Sequence, residues 1–282
     1  FDLTKRLHNM IHGYGPTELT SEDKEVYDAV SRQNADALEP HLSPDDILIV
    51  HDPQPAGVGA ILKERLGLCT IWRCHIGHDE HVPQTKAAWR FMKEYLHGYD
   101  HCVFTATEYF PDYVSGRASI IHPALDPLSH KNRELSPQEI VGALCNAGLA
   151  MAHHPVCGTP FPELAERLDA AGEFRPAANG TEIGLLYRPI ITQVSHWDRL
   201  KGLVPLLEAF HQLKRRASEG VNGFGPELHA QIRIARLVLA GPDPASIQDD
   251  PEGQEVLGEL RRTYMALDPE TQKDVAILSL PM

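Results

Sequence analysis

Between Gln193 and Gly202 the sequence runs Gln-Val-Ser-His-Trp-Asp-Arg-Leu-Lys-Gly, which reads as the end of a buried strand followed by a cationic turn. The helix-period residues Leu203, Leu206, Leu207 and Phe210 follow directly. A strand that delivers Arg199 and Lys201 to a helix start builds an anion site, because helix N-terminal amides and two cations all favour a phosphate. The same spacing also fits an ordinary strand-turn-helix of an α/β core. His75, His78 and His81 recur every third residue with Asp79 among them, which raises a metal. That spacing suits a helix face, whereas Ile76-Gly77 straight after a strand makes the segment a loop. His51-Asp52-Pro53-Gln54-Pro55 reads either as a proline-rigid turn with a capping aspartate or as a polar site.

These groups need a scaffold, and alternating short apolar runs and helical periods supply one. Strands are expected at Asp46–Val50, Thr70–Cys74, His101–Phe104, Ser119–Ile121, Ile190–Ser195, Arg236–Ala240 and Val275–Leu280. The first reads as wholly apolar and buried on both faces. A short helix or turn is expected over residues 1–13, and helices from a Thr20 or Ser21 cap to before Pro40, around Val58–Leu66, at about 84–96, after Ser136, and to about Met265. Strand-helix alternation is the signature of a doubly wound α/β sheet. Ligands then bind beyond the carboxyl ends of the strands. His51-Asp52, His75, Glu108, His122, His196 to Lys201 and Gly241 all stand there. From about Met151 to Arg188 the pattern gives way to a Pro-, Gly- and Ala-rich inserted loop with one amphipathic piece, Phe161 to Leu168.

At 282 residues the chain fits one large or two ordinary domains. A net charge of -13 argues against nucleic acid, while a phosphorylated small ligand needs only a local cation cluster. Five cysteines without a Cys-x-x-Cys pair fit a reducing cytoplasm, and no apolar run approaches a membrane span. The opening on Phe1 and the close at Met282 directly after an apolar strand read as a fragment.

Several passages together resemble one family. Val194 to Gly202, Val50-His51-Asp52-Pro53-Gln54-Pro55-Ala56-Gly57, Trp72-Arg73-Cys74-His75-Ile76, Glu108-Tyr109-Phe110-Pro111, Pro123 to Ser129 and Asp249 to Gly253 are similar, in order, to retaining glycosyltransferases of the trehalose synthase type. The resemblance implies a GT-B fold of two facing doubly wound Rossmann-like domains, the second incomplete. Residues 1–125 would form the acceptor-side domain, and residues 126–282 a partial nucleotide-sugar-binding domain with the insertion at about 151–188. The implied reaction forms trehalose reversibly from a nucleoside diphosphate glucose and glucose. Trehalose phosphorylase and a non-catalytic sugar- or nucleotide-binding relative are the alternatives. By the same resemblance His75 and Asp52 would be catalytic, His51, Gln54 and Glu108 would bind substrate, and His196, Arg199, Lys201 and Gly241 would bind the donor diphosphate. At His196 the family usually has Arg. The family's pair of glutamates beside the ribose and donor glucose has no match within the 282 residues. No cofactor and no obligatory metal are implied. The partners are a sugar and a nucleotide-sugar, without nucleic acid or membrane, and a homodimer is left open.

Overall fold

A computed structural model describes residues 2–129, 132–151, 164–179, 183–185, 187–219, 225–246 and 251–281. The chain divides into two compact units, residues 1–127 and 128–282. None of the described helices is long and apolar enough to cross a membrane.

The first unit contains, in order, α1 (Asp2–Ile11), α2 (Ser21–Leu38), β1 (Ile47–His51), α3 (Ala56–Leu66), β2 (Cys69–Cys74), α4 (Pro83–Leu96), β3 (His101–Phe104) and β4 (Ala118–Ile120). Thr20 starts α2 through a capping box: its hydroxyl accepts from the Asp23 amide, and the Asp23 carboxylate accepts from the Thr20 amide. Gly67 ends α3 in the left-handed conformation that lacks a steric cost only for glycine. The strands form a parallel sheet in the order β1-β2-β3-β4. One face carries Val50, Trp72, Cys74, Cys102 and Phe104, packed with Leu7, Met10 and Ile11 of α1, Tyr27 of α2 and Trp89 and Met92 of α4. Fully burying one such large side chain contributes roughly 1.5–3 kcal/mol.

The alternate strand positions face the other way, and there the expectation for β1 fails. Ile47 and Ile49 are 65% and 53% exposed, so the strand is covered on one side only. β1 is an edge strand that pairs with β2 alone among the described residues, and nothing described lies over its outer isoleucines.

The second unit contains α5 (Pro137–Asn146), β5 (Glu166–Leu168), β6 (Phe174–Pro176), β7 (Ile190–Val194), α6 (Leu203–Ser218), α7 (Pro226–Ile234), β8 (Arg236–Pro242), α8 (Pro251–Met265), α9 (Pro269–Lys273) and β9 (Val275–Leu280). Its sheet has the order β6-β5-β9-β8-β7. β7, β8 and β9 are parallel, and the β5–β6 hairpin joins β9 antiparallel. Here both faces of β8 and β9 are covered. Leu237, Leu239, Val275 and Ile277 pack with α6 and α8, while Val238, Ala240, Ala276 and Leu278 pack with Ala165, Ala177 and Ile183.

The hairpin corrects the reading of residues 151–188 as a loop. Residues 152–163, 180–182 and 186 lie outside the described residues, but Asp169 ties the turn at 169–173 by accepting from the Ala171 and Glu173 amides, and Glu166–Leu168 and Phe174–Pro176 on either side of it are strands of the sheet. The short helices α7 and α9, each opened by a proline at its first turn, were not expected.

Candidate functional site

In the first unit the polar groups gather where β1 and β2 end. Asp52 follows β1 with φ 65°, the one non-glycine residue at positive φ among those described, a conformation that costs an L-residue on the order of 1 kcal/mol. Its surroundings hold it there. The Asp52 amide donates to the Arg73 carbonyl at 2.8 Å, its carbonyl accepts from the Trp72 indole at 2.8 Å, and its carboxylate Oδ1 accepts from the His75 amide at 2.9 Å. Asp52 thus draws the segment after β2 against the segment after β1.

The result is an imidazole pair. His51 Nδ1 lies 2.8 Å from His75 Nε2, with the rings 10° from parallel. One ring donates to the other, and both remain exposed on their outer sides. Thr105, just beyond β3, donates to the His75 carbonyl at 3.3 Å. Arg73, beside His51 in register, donates through Nη2 to the Ile121 carbonyl at 2.8 Å, while its buried Nη1 has no hydrogen-bond partner. Gly77 lets this loop close, because a Cβ there would come within 2.1 Å of the Tyr109 ring.

His51, Asp52 and His75 are therefore brought together. The other expected substrate residues stand apart from them. Gln54 lines a groove of 470 Å³ with Thr4, Tyr27, Val30 and Asn34. Glu108 is exposed on the single turn Thr107–Tyr109 and bonds to none of the three. His122 is also exposed. His78 Nδ1 accepts from the Glu80 amide at 2.9 Å, and among the described residues no cluster of three or more His, Cys, Asp or Glu side chains is arranged to hold a metal.

In the second unit the turn after β7 is built on Trp197. The buried indole donates to the Pro242 carbonyl at 2.6 Å, and Gly241 allows it to lie flat: a Cβ at 241 would be 2.6 Å from the indole and 2.7 Å from the Ser195 carbonyl. Asp198 caps the next turn by accepting from the Leu200 amide, Gln193 donates to the Lys201 carbonyl, and Gly202 turns the chain into α6 at φ 66°. His196 and Lys201 are exposed.

Arg199 takes a different course from the one expected. It forms a two-pronged ion pair with Glu259 of α8, at 2.9 and 2.8 Å, with Glu255 a further 3.6 Å contact. The guanidinium holds the Glu259 carboxyl below its ordinary range. Both prongs are thus committed to α8, and no local spacing signals a partner 60 residues away.

Residues 1–111 match the family described as trehalose synthase, N-terminal domain. A trehalose synthase of Pyrococcus horikoshii is 31% identical over 254 residues, covering 90% of this chain and 47% of the relative. The chain thus spans about half the length of the curated relatives it matches. Among solved structures, a UDP-forming α,α-trehalose-phosphate synthase from Burkholderia vietnamiensis aligns at TM-score 0.56 and 17% identity, over 99% of this chain and 57% of that one. Its Burkholderia xenovorans counterpart, in complex with glucose-6-phosphate, aligns at TM-score 0.53 and 17% identity, over 93% and 54%. These likenesses show the α/β, GT-B fold.

Proposed function

We propose, from the match of residues 1–111 to the trehalose synthase N-terminal domain family, that the chain is part of a retaining glucosyltransferase that forms trehalose from a nucleoside diphosphate glucose and glucose. The observation that carries the reading is the meeting of His51, Asp52 and His75 at the carboxyl ends of two adjacent parallel strands, where α/β sheets bind ligands. The sugar-phosphate complex of the Burkholderia xenovorans relative and its UDP-forming activity support a sugar and a nucleotide-sugar as ligands.

In this reading the outer edges of the His51 and His75 rings and the free oxygen of Asp52 bond sugar hydroxyls. Transfer with retention passes through an oxocarbenium-like transition state, so its main demand is neutralisation of the departing diphosphate. Lys201 and His196, both exposed in the turn between β7 and α6, serve that end, and each charge-assisted bond contributes about 1.5–3 kcal/mol. Gly241 lets the strand end approach the phosphates closely. Gln54 and Glu108 contact the sugar only from farther out, and neither a cofactor nor an obligatory metal takes part.

Calorimetric titration with UDP, ADP, GDP and inorganic phosphate tests the donor site. One nucleotide is expected to bind at micromolar strength, at least tenfold more weakly in Lys201→Ala. Binding of phosphate alone would turn the reading to a phosphorylase, and no binding at all would remove the donor site from this chain.

A further inference from the structure

The backbone from Asp52 to Gly57 is gripped from inside the core by three aromatic polar tips. Trp72, fully buried, donates its indole N–H to the Asp52 carbonyl at 2.8 Å. Tyr27, 3% exposed, donates its hydroxyl to the Pro53 carbonyl at 2.6 Å and accepts from the Gly57 amide at 3.1 Å. Tyr99, 2% exposed, donates to the Ala56 carbonyl at 2.7 Å. Burial pushes both phenols well above their ordinary range, so they stay neutral donors.

Core packing alone does not call for these tips, since phenylalanine would fill the tyrosine positions with no polar atom to satisfy. The segment itself does call for them. Pro53 and Pro55 contribute no amide donors; without the tips the Asp52 carbonyl would lose its indole bond and the Pro53 carbonyl would keep only the long 3.4 Å bond from the Ala56 amide, at about 1–3 kcal/mol for a buried acceptor left unsatisfied. The glycines fit the same grip. A Cβ at Gly57 would lie 2.5 Å from Ser31 Oγ, and one at Gly59 would lie 2.0 Å from the Tyr99 hydroxyl.

We infer that Tyr27, Trp72 and Tyr99 are positioning residues: they hold the Asp52–Gly57 segment so that Asp52 keeps its left-handed backbone, and thereby set the His51–His75 pair that meets the sugar. The last clause rests on the glucosyltransferase reading, whereas the positioning itself does not.

The test uses the whole chain labelled with nitrogen-15, in Tyr27→Phe, Tyr99→Phe and Tyr95→Phe. Tyr95 is the control, because it packs on Tyr27 with ring centroids 4.7 Å apart and donates to Asp28 at 2.7 Å, away from the loop. Tyr27→Phe loses two hydroxyl bonds and Tyr99→Phe and Tyr95→Phe lose one each, all in the same core. Tyr27→Phe is expected to shift the His75 amide signal and the ring-nitrogen signals of His51 and His75, with Tyr99→Phe doing so more weakly. Tyr95→Phe is expected to lower the melting temperature and leave those signals within a line width. Wild-type signals in both Tyr27→Phe and Tyr99→Phe would overturn the inference, and so would equal shifts in Tyr95→Phe. Nucleotide titration probes the second unit, so loss of the donor-site reading would leave these signals to decide on their own.

Discussion

The turn after β1 and the turn after β7 share a device and differ in what they leave available. In each, a fully buried tryptophan donates its indole N–H to a carbonyl at the end of a neighbouring strand: Trp72 to Asp52, Trp197 to Pro242. In each, glycines allow close packing, Gly241 beside Trp197 itself, and Gly57 and Gly59 beside Tyr27 and Tyr99. The first turn then holds its polar groups outward against one another, whereas the second commits its guanidinium, Arg199, to Glu259. A rigid turn is therefore a shared requirement of both ends, and the chemistry depends on which charges the neighbouring helix absorbs.

The shared rigidity is tested most severely at the glycines. Gly59→Ala drives a Cβ to 2.0 Å from the Tyr99 hydroxyl and 2.7 Å from Val50, and is expected to cost about 3 kcal/mol in chemical denaturation. Gly241→Ala should cost about 1–3 kcal/mol through Trp197. A neutral Gly241→Ala would show the second turn to be loosely built, and the likeness would break.

The difference between the turns is sharpened at Glu259. Glu259→Gln removes the carboxylate charge that holds Arg199, so affinity for the bound nucleotide should rise about tenfold, in line with one charge-assisted bond. Arg199→Ala should change that affinity less than threefold. A large loss in Arg199→Ala would mean that the cation leaves α8 for the ligand.

The smallest effect expected is on acid stability. Asp100 in the first unit is held below the ordinary carboxylate range by Lys63, then by the Thr70 amide, and Glu259 in the second by Arg199. A carboxylate with a lowered folded value contributes stability that is complete above its unfolded value, near pH 4, and is lost as pH falls through the folded value. Asp100→Asn and Glu259→Gln should each flatten the acid limb of stability against pH, measured by denaturation between pH 6 and 3. An unchanged limb would show that solvent screens these exposed pairs completely.

Much of this architecture is written locally. The runs at 47–51, 70–74 and 101–104 declare their strands, Thr20 and Ser136 declare their helices, and the meeting of His51, Asp52 and His75 follows from two adjacent parallel strands ending together. What depends on distant partners is not legible. The apolar pattern of β1 cannot reveal that one of its faces stays open, because cover is a tertiary fact. The β5–β6 hairpin has three-residue strands amid proline and glycine, too short for any period. The grip of Tyr27 and Tyr99 leaves no local trace, since their carbonyl partners lie 26 and 43 residues away. The Arg199–Glu259 pair is hidden for the same reason.

The hairpin also gives the second sheet a direction of growth. Its β6 margin is three residues long and ends in Pro176, which has no amide to donate, while the β7 margin runs five residues and exposes Ile191 and Val194. A newcomer strand, from the same polypeptide or another, meets a blunt side and a receptive side. Among the described residues the antiparallel addition acts as a one-sided stop: β6 closes the sheet beyond β9, and β7, the strand that leads into the turn bearing Arg199 and Lys201, keeps the longer margin.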